Sequence, residues 1–286
     1  KKWVKDHLKP DGTEYDLYRD GLKIYTTIDS KMQQYAEEAV TEHLKNLQKE
    51  FFINAKDKEN APFVDITPEQ TQQIMLQAKK NSERWRKMDL NGKTKEEILK
   101  SFDVPAKMKI FTYEGEKDTI MKPTDSIIYY KHMLQTGMMA MEPRSGHIKA
   151  WVGGVNYKYF QYDHVGQGAR QVGSTFKPFL YATAIEQLGM SPCDSIIDSY
   201  FTMPKGKWGI DADWSPKNSD GNYRGTITLQ KALANSVNTV SAKLIDRVGP
   251  KAVVDMAKEL GVTSDIPEQP SIALGAVDIT VEQMVG

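Results

Sequence analysis

Ser174 and Lys177 stand three residues apart in the string Gly173-Ser174-Thr175-Phe176-Lys177-Pro178. In a helical segment side chains at i and i+3 share a face, so a hydroxyl and an amine can meet there. A serine hydroxyl is a weak nucleophile until a neighbouring base takes its proton. Lysine serves as that base only when burial or nearby positive charge lowers its pKa, and Phe176 and Phe179 offer an apolar surround. Proline is tolerated in the first turn of a helix and not in its interior, so Pro178 sets a helix start close to Ser174. The hydroxyl then lies at the positive end of the helix dipole, where developing negative charge is favoured. By itself, Ser-x-x-Lys arises by chance in most proteins.

A second polar string, Asn235-Ser236-Val237-Asn238-Thr239, interrupts a stretch otherwise rich in helix formers. Ser236 is a candidate relay for a proton between Lys177 and a leaving amine, and Asn238 a candidate donor to a substrate amide carbonyl. The same string also reads as a helix–loop junction capped by Ser or Asn.

The elements that must position these groups follow from local pattern. Residues 22–28 alternate and are β-branched, which predicts a strand. Asp29 then caps a helix with Met32, Ala36, Ala39, Val40, Leu44 and Leu47 at helical spacing. Thr67-Pro68-Glu69-Gln70 and Thr94 with Glu97 are helix-start signatures. Between them runs a polar helix carrying Lys79, Lys80, Arg84, Arg86 and Lys87, read as a solvated face within a charged helical module. Met138–Glu142 and His147–Val152 flank Pro143-Arg144-Ser145-Gly146 and predict a β-hairpin. A glycine-punctuated loop runs from Tyr157 to Gly173, and residues 176–188 read as helix with Gly189 as its C-cap. Residues 199–225 form a long loop, functional or lid-like by its length. Thr228–Val248 and Lys251–Leu260 are helical.

Lys and Arg total 38, as do Asp and Glu, so no bulk charge favours nucleic acid. No apolar run approaches the roughly 20 residues of a membrane span, and the polar start at Lys1-Lys2-Trp3 shows no signal peptide. The single cysteine, Cys193, forms no internal disulfide. The histidines show no i, i+4 pairing, so neither a metal nor a cofactor is expected. Gly168 to Thr175 has P-loop glycines but lacks the lysine that follows the second glycine.

The motifs together resemble the transpeptidase domain of the class A (bifunctional) penicillin-binding proteins, for which Ser-x-x-Lys is a signature. The resemblance extends through residues 21–29, Glu142 to Ile148, Arg170 to Phe179, Pro216-Lys217-Asn218 and Ala232 to Asn238. It covers residues 20–50 and 136–286 well. Residues 51–125 match poorly and read as lineage-specific. The resemblance implies an α+β fold of the β-lactamase/transpeptidase type, an antiparallel sheet flanked by helices and lacking its last strands. It divides the chain into an entry segment (1–50), a charged helical insertion (51–135) and the first part of the transpeptidase domain (136–286).

The resemblance further implies that Ser174 is the acyl-enzyme nucleophile, Lys177 the general base, Ser236 the proton shuttle and Asn238 a substrate ligand. The Ser174 N–H forms half of an oxyanion hole. Thr175 and Trp214 are candidate substrate contacts, Trp208 and Trp214 alternatively anchoring their loop. The expected partners are peptidoglycan stem peptides and β-lactams, with an upstream glycosyltransferase domain and a membrane anchor that hold the protein outside the cytoplasm. The family's third motif, Lys-Thr/Ser-Gly on a core strand, does not occur; Lys93-Thr94-Lys95 lies upstream and lacks the glycine. These residues alone are therefore expected to be inactive. A D,D-carboxypeptidase or β-lactamase-type hydrolase and a non-catalytic β-lactam sensor are the alternatives.

Overall fold

The computed structural model describes residues 2–58 and 60–286. Lys1, in the entry segment, and Glu59, in the charged insertion, lie outside the described residues. A single turn, α1 (Lys2–Asp6), opens the chain. Residues 22–28 are not a strand. They run beside the later strand at Ile148 and meet it through Thr27 Oγ1 donating to the Ile148 carbonyl (2.7 Å) and Asp29 N–H donating to the Lys149 carbonyl (2.9 Å). A strand needs a ladder, and the alternation here buries no face: Ile24 is 75% and Tyr25 90% exposed. Asp29 does cap the long helix α2 (Ser30–Lys56), accepting from Met32 N–H at 2.9 Å. Its buried stripe is Ala36, Val40, Leu44 and Gln48, one residue every fourth position, as a helix face requires. Ala39, Met32 and Leu47 point to solvent.

The charged module contains α3 (Pro68–Asn81), α4 (Glu83–Leu90) and α5 (Lys95–Ser101). Both capping boxes form, Thr67 with Gln70 and Thr94 with Glu97. α3 and α4 bury no residue; Ile98 and Phe102 supply the buried apolar contacts, and the Lys79 ammonium sits 5.4 Å over the Phe102 ring. The module is not wholly helical. β1 (Ala106–Thr112) and β2 (Gly115–Met121) form an antiparallel hairpin, followed by α6 (Pro123–Lys131). The predicted hairpin of β3 (Met138–Met141) and β4 (Ile148–Val152) is present and antiparallel. α2 packs on it, burying Ala150 and Val152 with Ala36, Val40 and Leu44.

Past β5 (Arg170–Gln171), a 3-10 turn at Gly173–Phe176 leads into α7 (Lys177–Leu188), which stops at Gly189 with φ +62°. The hairpin β6 (Ser195–Asp198) and β7 (Gly225–Thr228) brackets the long loop. α8 (Leu229–Ala234), α9 (Asn238–Val248) and α10 (Pro250–Glu259) follow. A 3-10 turn at Pro270–Leu274, β8 (Asp278–Ile279) paired with β5, and α11 (Val281–Val285) complete the described chain. The main core lies among α7, α9, α10 and the 270–279 segment, with Phe176, Leu180, Leu244, Ile245 and Ile272 fully buried. The fold is α+β, and all strand pairs among the described residues are antiparallel, in four two-stranded units.

Candidate active site

Ser174 lies in the 3-10 turn and Lys177 opens α7, its backbone N–H donating to the Ser174 carbonyl. With three residues per turn, side chains at i and i+3 of a 3-10 helix eclipse one another. The turn divides the pair by environment: Ser174 is exposed and Lys177 fully buried. Buried Phe176, its ring 5.0 Å from that of Phe179, fixes the turn to the core. From the other side Gly173 N–H donates to the Gly275 carbonyl (3.1 Å) and Val172 N–H to the Val277 carbonyl (3.0 Å). The approach is so close that a Cβ on Gly275 would fall 1.7 Å from the Gly173 carbonyl oxygen. Only glycine fits there, and its φ of +76° suits glycine as well.

Lys177 Nζ donates to the Ser236 carbonyl (2.7 Å), Ser236 Oγ (3.0 Å) and Asn238 Oδ1 (2.7 Å). An ammonium has three donors, and three acceptors face it. Burial nevertheless pushes its pKa down from 10.5 to about 8, because removing water disfavours the charged form. Ser174 Oγ is not among its partners in this state. The two acceptor residues reach Nζ because the helix breaks between α8 and α9: Ser236 adopts φ +52°, a left-handed conformation that costs a non-glycine residue about 1–3 kcal/mol. The break turns the Ser236 carbonyl and hydroxyl toward the amine instead of into a helical ladder.

Asn238 is engaged at both ends of its amide. Oδ1 accepts from Lys177, and Nδ2 donates to the Lys217 carbonyl (2.9 Å). The second Nδ2 hydrogen has no acceptor among the hydrogen bonds of the described residues. Behind it lies a buried network centred on Asp198, a residue outside every motif of the sequence. Asn218 Oδ1 accepts from the backbone N–H of Asn238 (2.9 Å) and Thr239 (3.2 Å). Asn218 Nδ2 and Thr239 Oγ1 both donate to Asp198 Oδ1 (2.9 and 2.5 Å), and Arg224 N–H donates to Asp198 Oδ2 (2.9 Å). Burial alone would raise the Asp198 pKa; the hydrogen bonds from Thr239, Asn218 and Arg224 outweigh it and hold the carboxyl below its usual value.

Thr175 is exposed, its hydroxyl donating to the Val172 carbonyl at 2.7 Å. It lines a cleft of about 560 Å³ with Val172, Arg170, His164 and Gln135. A larger cleft, about 690 Å³, lies between α2 and residues 151–163, and none of Ser174, Lys177, Ser236 or Asn238 lines it. The long loop is pinned rather than free. Met203 and Trp214 exchange two backbone hydrogen bonds of 2.9 Å, and Lys207 pairs with Asp246 at 2.6 Å. Trp214 packs half-buried on the main core and Trp208 stacks over Gly249. The structure thus gives both indoles an anchoring position. It brings Lys177, Ser236 and Asn238 together, with Ser174 one turn away.

This arrangement has known relatives. Residues 136–273 match the family described as the penicillin binding protein transpeptidase domain, and residues 58–134 the penicillin-binding protein middle domain. The charged module therefore recurs within the family and is not confined to one lineage. The chain is 30% identical over 280 residues to penicillin-binding protein 1A of Aquifex aeolicus and 29% identical over 296 residues to that of Neisseria flavescens, covering 93% of this chain and 36% of each relative. The crystal structure of penicillin-binding protein 1A from Haemophilus influenzae superposes with a TM-score of 0.59 at 21% identity, over 92% of this chain and 41% of that one, a likeness of fold. The match over residues 136–273, on an α+β scaffold, identifies a penicillin-binding transpeptidase domain. The chain belongs to the penicillin-binding proteins, of class A, and spans about a third of the length of the curated relatives it matches.

Proposed function

We propose that this chain carries the acylating groups of a serine D,D-transpeptidase that cross-links peptidoglycan. The observation that carries the reading is Lys177: fully buried, with its pKa brought down to about 8, one 3-10 turn from Ser174 and hydrogen-bonded to Ser236. A base with a pKa near the working pH combines a populated neutral form with useful proton affinity. Neutral Lys177 takes the proton of Ser174 Oγ as that oxygen attacks the carbonyl of a D-Ala-D-Ala stem peptide. The Ser174 N–H, in the first turn where helical N–H groups lack a partner, faces the developing oxyanion. Collapse breaks the peptide bond, and the departing D-alanine amine receives the proton from Lys177 through Ser236. An amine of a second stem peptide then attacks the Ser174 ester and restores the hydroxyl. The free Nδ2 hydrogen of Asn238 holds a substrate carbonyl. Thr175, at the edge of the cleft, and Trp214, in the loop wall, are secondary contacts in this reading. A β-lactam acylates the same serine in place of the dipeptide.

The whole protein, on the family's pattern, adds a glycosyltransferase domain, a membrane anchor outside the cytoplasm and the Lys-Thr/Ser-Gly strand that completes the oxyanion hole. The test uses the full-length protein, exposed to a labelled penicillin and read by mass spectrometry. One adduct is expected, on Ser174, absent from Ser174→Ala. An adduct that survives in that variant overturns the assignment, and rapid turnover of the antibiotic in place of a stable adduct points to a hydrolase.

A further inference from the structure

We propose that Asn218, held by Asp198, is a positioning residue for acylation: it caps α9 from outside the helix and so aims Asn238 at Lys177. The inference rests on reading Lys177 as the base of the reaction. α9 begins at Asn238 behind Val237, which makes no side-chain cap. A helix start normally finds its cap in a Ser, Thr, Asp or Asn at that preceding position. Here the position is spent on the core, where Val237 is buried. The first two N–H groups of the helix, those of Asn238 and Thr239, instead converge on one oxygen, Asn218 Oδ1, 20 residues earlier in the chain.

That oxygen is locked in place. The same amide donates through Nδ2 to Asp198 Oδ1 (2.9 Å) and to the Asn222 carbonyl (2.8 Å), so only one orientation of the amide satisfies all four contacts. Asp198 is itself buried and fixed by Thr239 Oγ1 and Arg224 N–H. Asn238 is consequently gripped twice by adjacent residues: its backbone N–H by the Asn218 side chain, its Nδ2 by the Lys217 carbonyl. With both held, Oδ1 has one direction left, toward Lys177 Nζ. The line of restraint runs from Asp198 through Asn218 and Asn238 to the amine. Buried polar networks of this kind fix geometry when every member is satisfied.

The test measures acylation of the full-length protein by a fluorescent penicillin between pH 6 and 10, beside the thermal midpoint, for Asn218→Ala and Asp198→Asn. Val253→Ala, a buried truncation in α10, serves as a control that loses stability only. In Asn218→Ala the acylation rate is expected to fall about tenfold or more, since a displaced reacting group is costly. The midpoint of its pH profile is expected to move above the wild-type value, because a loosened α9 admits water to the amine and relieves the burial that lowers its pKa. Asp198→Asn, which keeps the shape, is expected to show the same shifts in smaller measure and covers a failure of Asn218→Ala to fold. A wild-type rate and midpoint in a folded variant overturns the proposal, as does a control that reproduces both shifts. Should Ser174→Ala lack the adduct while Asn218→Ala behaves as wild type, only the positioning role falls. An adduct in Ser174→Ala removes the reading on which it rests.

Discussion

Gly275→Ala tests whether the 270–279 segment sets the turn that carries Ser174, the proposed nucleophile. The added methyl would begin 1.7 Å from the Gly173 carbonyl oxygen. Carbon and oxygen approach to about 3.3 Å in ordinary contacts, so the two backbones must part by about 1.6 Å. The atom met is backbone, with no flexible side-chain end to swing away. Separation breaks the hydrogen bonds from Gly173 N–H and Val172 N–H to this segment, at about 1 kcal/mol each. An alanine at φ +76° adds about 1–2 kcal/mol of left-handed strain. The sum is about 3–4 kcal/mol, or a fall of several degrees in thermal midpoint. Catalysis is hit harder, because Ser174 immediately follows Gly173 and an ångström of misplacement can cost about a hundredfold. Stopped-flow acylation by a reporter β-lactam, beside thermal unfolding of the same full-length protein, reads both. An alanine variant that melts with the wild type and acylates within about threefold of it would refute the reasoning.

Acylation should rise with pH through a midpoint near 8, the value to which burial brings Lys177. The unfolded lysine holds its proton up to its ordinary 10.5, so the unfolded state binds more protons between about 8 and 10.5 and this group's contribution to stability grows with pH in that window, measurable by denaturant titration at several pH values. Ser236→Ala removes the hydroxyl 3.0 Å from Nζ and should slow acylation by about 10²–10⁴-fold, the usual size of a proton-transfer contribution, while the acceptor lost from the buried amine costs about 1–3 kcal/mol of stability, read by calorimetry. Phe102→Ala empties the small core of the middle module and should destabilise it by about 3–5 kcal/mol, seen as early proteolysis of residues 60–134 while penicillin acylation persists.

Where a signal is local, the sequence carried it. Asp29, Thr67 and Thr94 cap helices because a cap needs only its own next three residues, and Arg144-Ser145-Gly146 turned the β3–β4 hairpin as expected. The serine–lysine turn and the α8–α9 break were legible for the same reason. Pattern without a partner misled: residues 22–28 alternate like a strand but meet β4 through one side-chain hydrogen bond from Thr27, with Asp29 adding a backbone bond just beyond them. The β1–β2 hairpin was hidden by its charge, since Lys107, Lys109, Lys117 and Asp118 stand on a half-solvated ribbon. The β6–β7 hairpin was hidden by the long excursion between its strands. Asn218 and Thr239 lay in strings the sequence marked, but Asp198, which joins them, gave no local sign, because its hydrogen bonds reach residues 20 and 41 positions away. A buried carboxylate becomes visible only once the fold has closed over it.

The β1–β2 hairpin has a consequence for anyone recombining these proteins. Phe111 lies 5.7 Å, ring to ring, from both Tyr159 and Phe160, Tyr159 donates to Glu116 at 2.8 Å, and Lys158 pairs with the same carboxylate. Phe111 and Glu116 belong to the middle domain; residues 158–160 belong to the transpeptidase domain. The family boundary at residues 134–136 is thus a seam in the alignment and not in the packing. A chimera spliced there would pair a foreign hairpin with the native 158–160 loop, leaving an aromatic socket and a lysine mismatched beside the cleft between α2 and residues 151–163. Grafts that exchange the hairpin and that loop as one unit should be the ones that express.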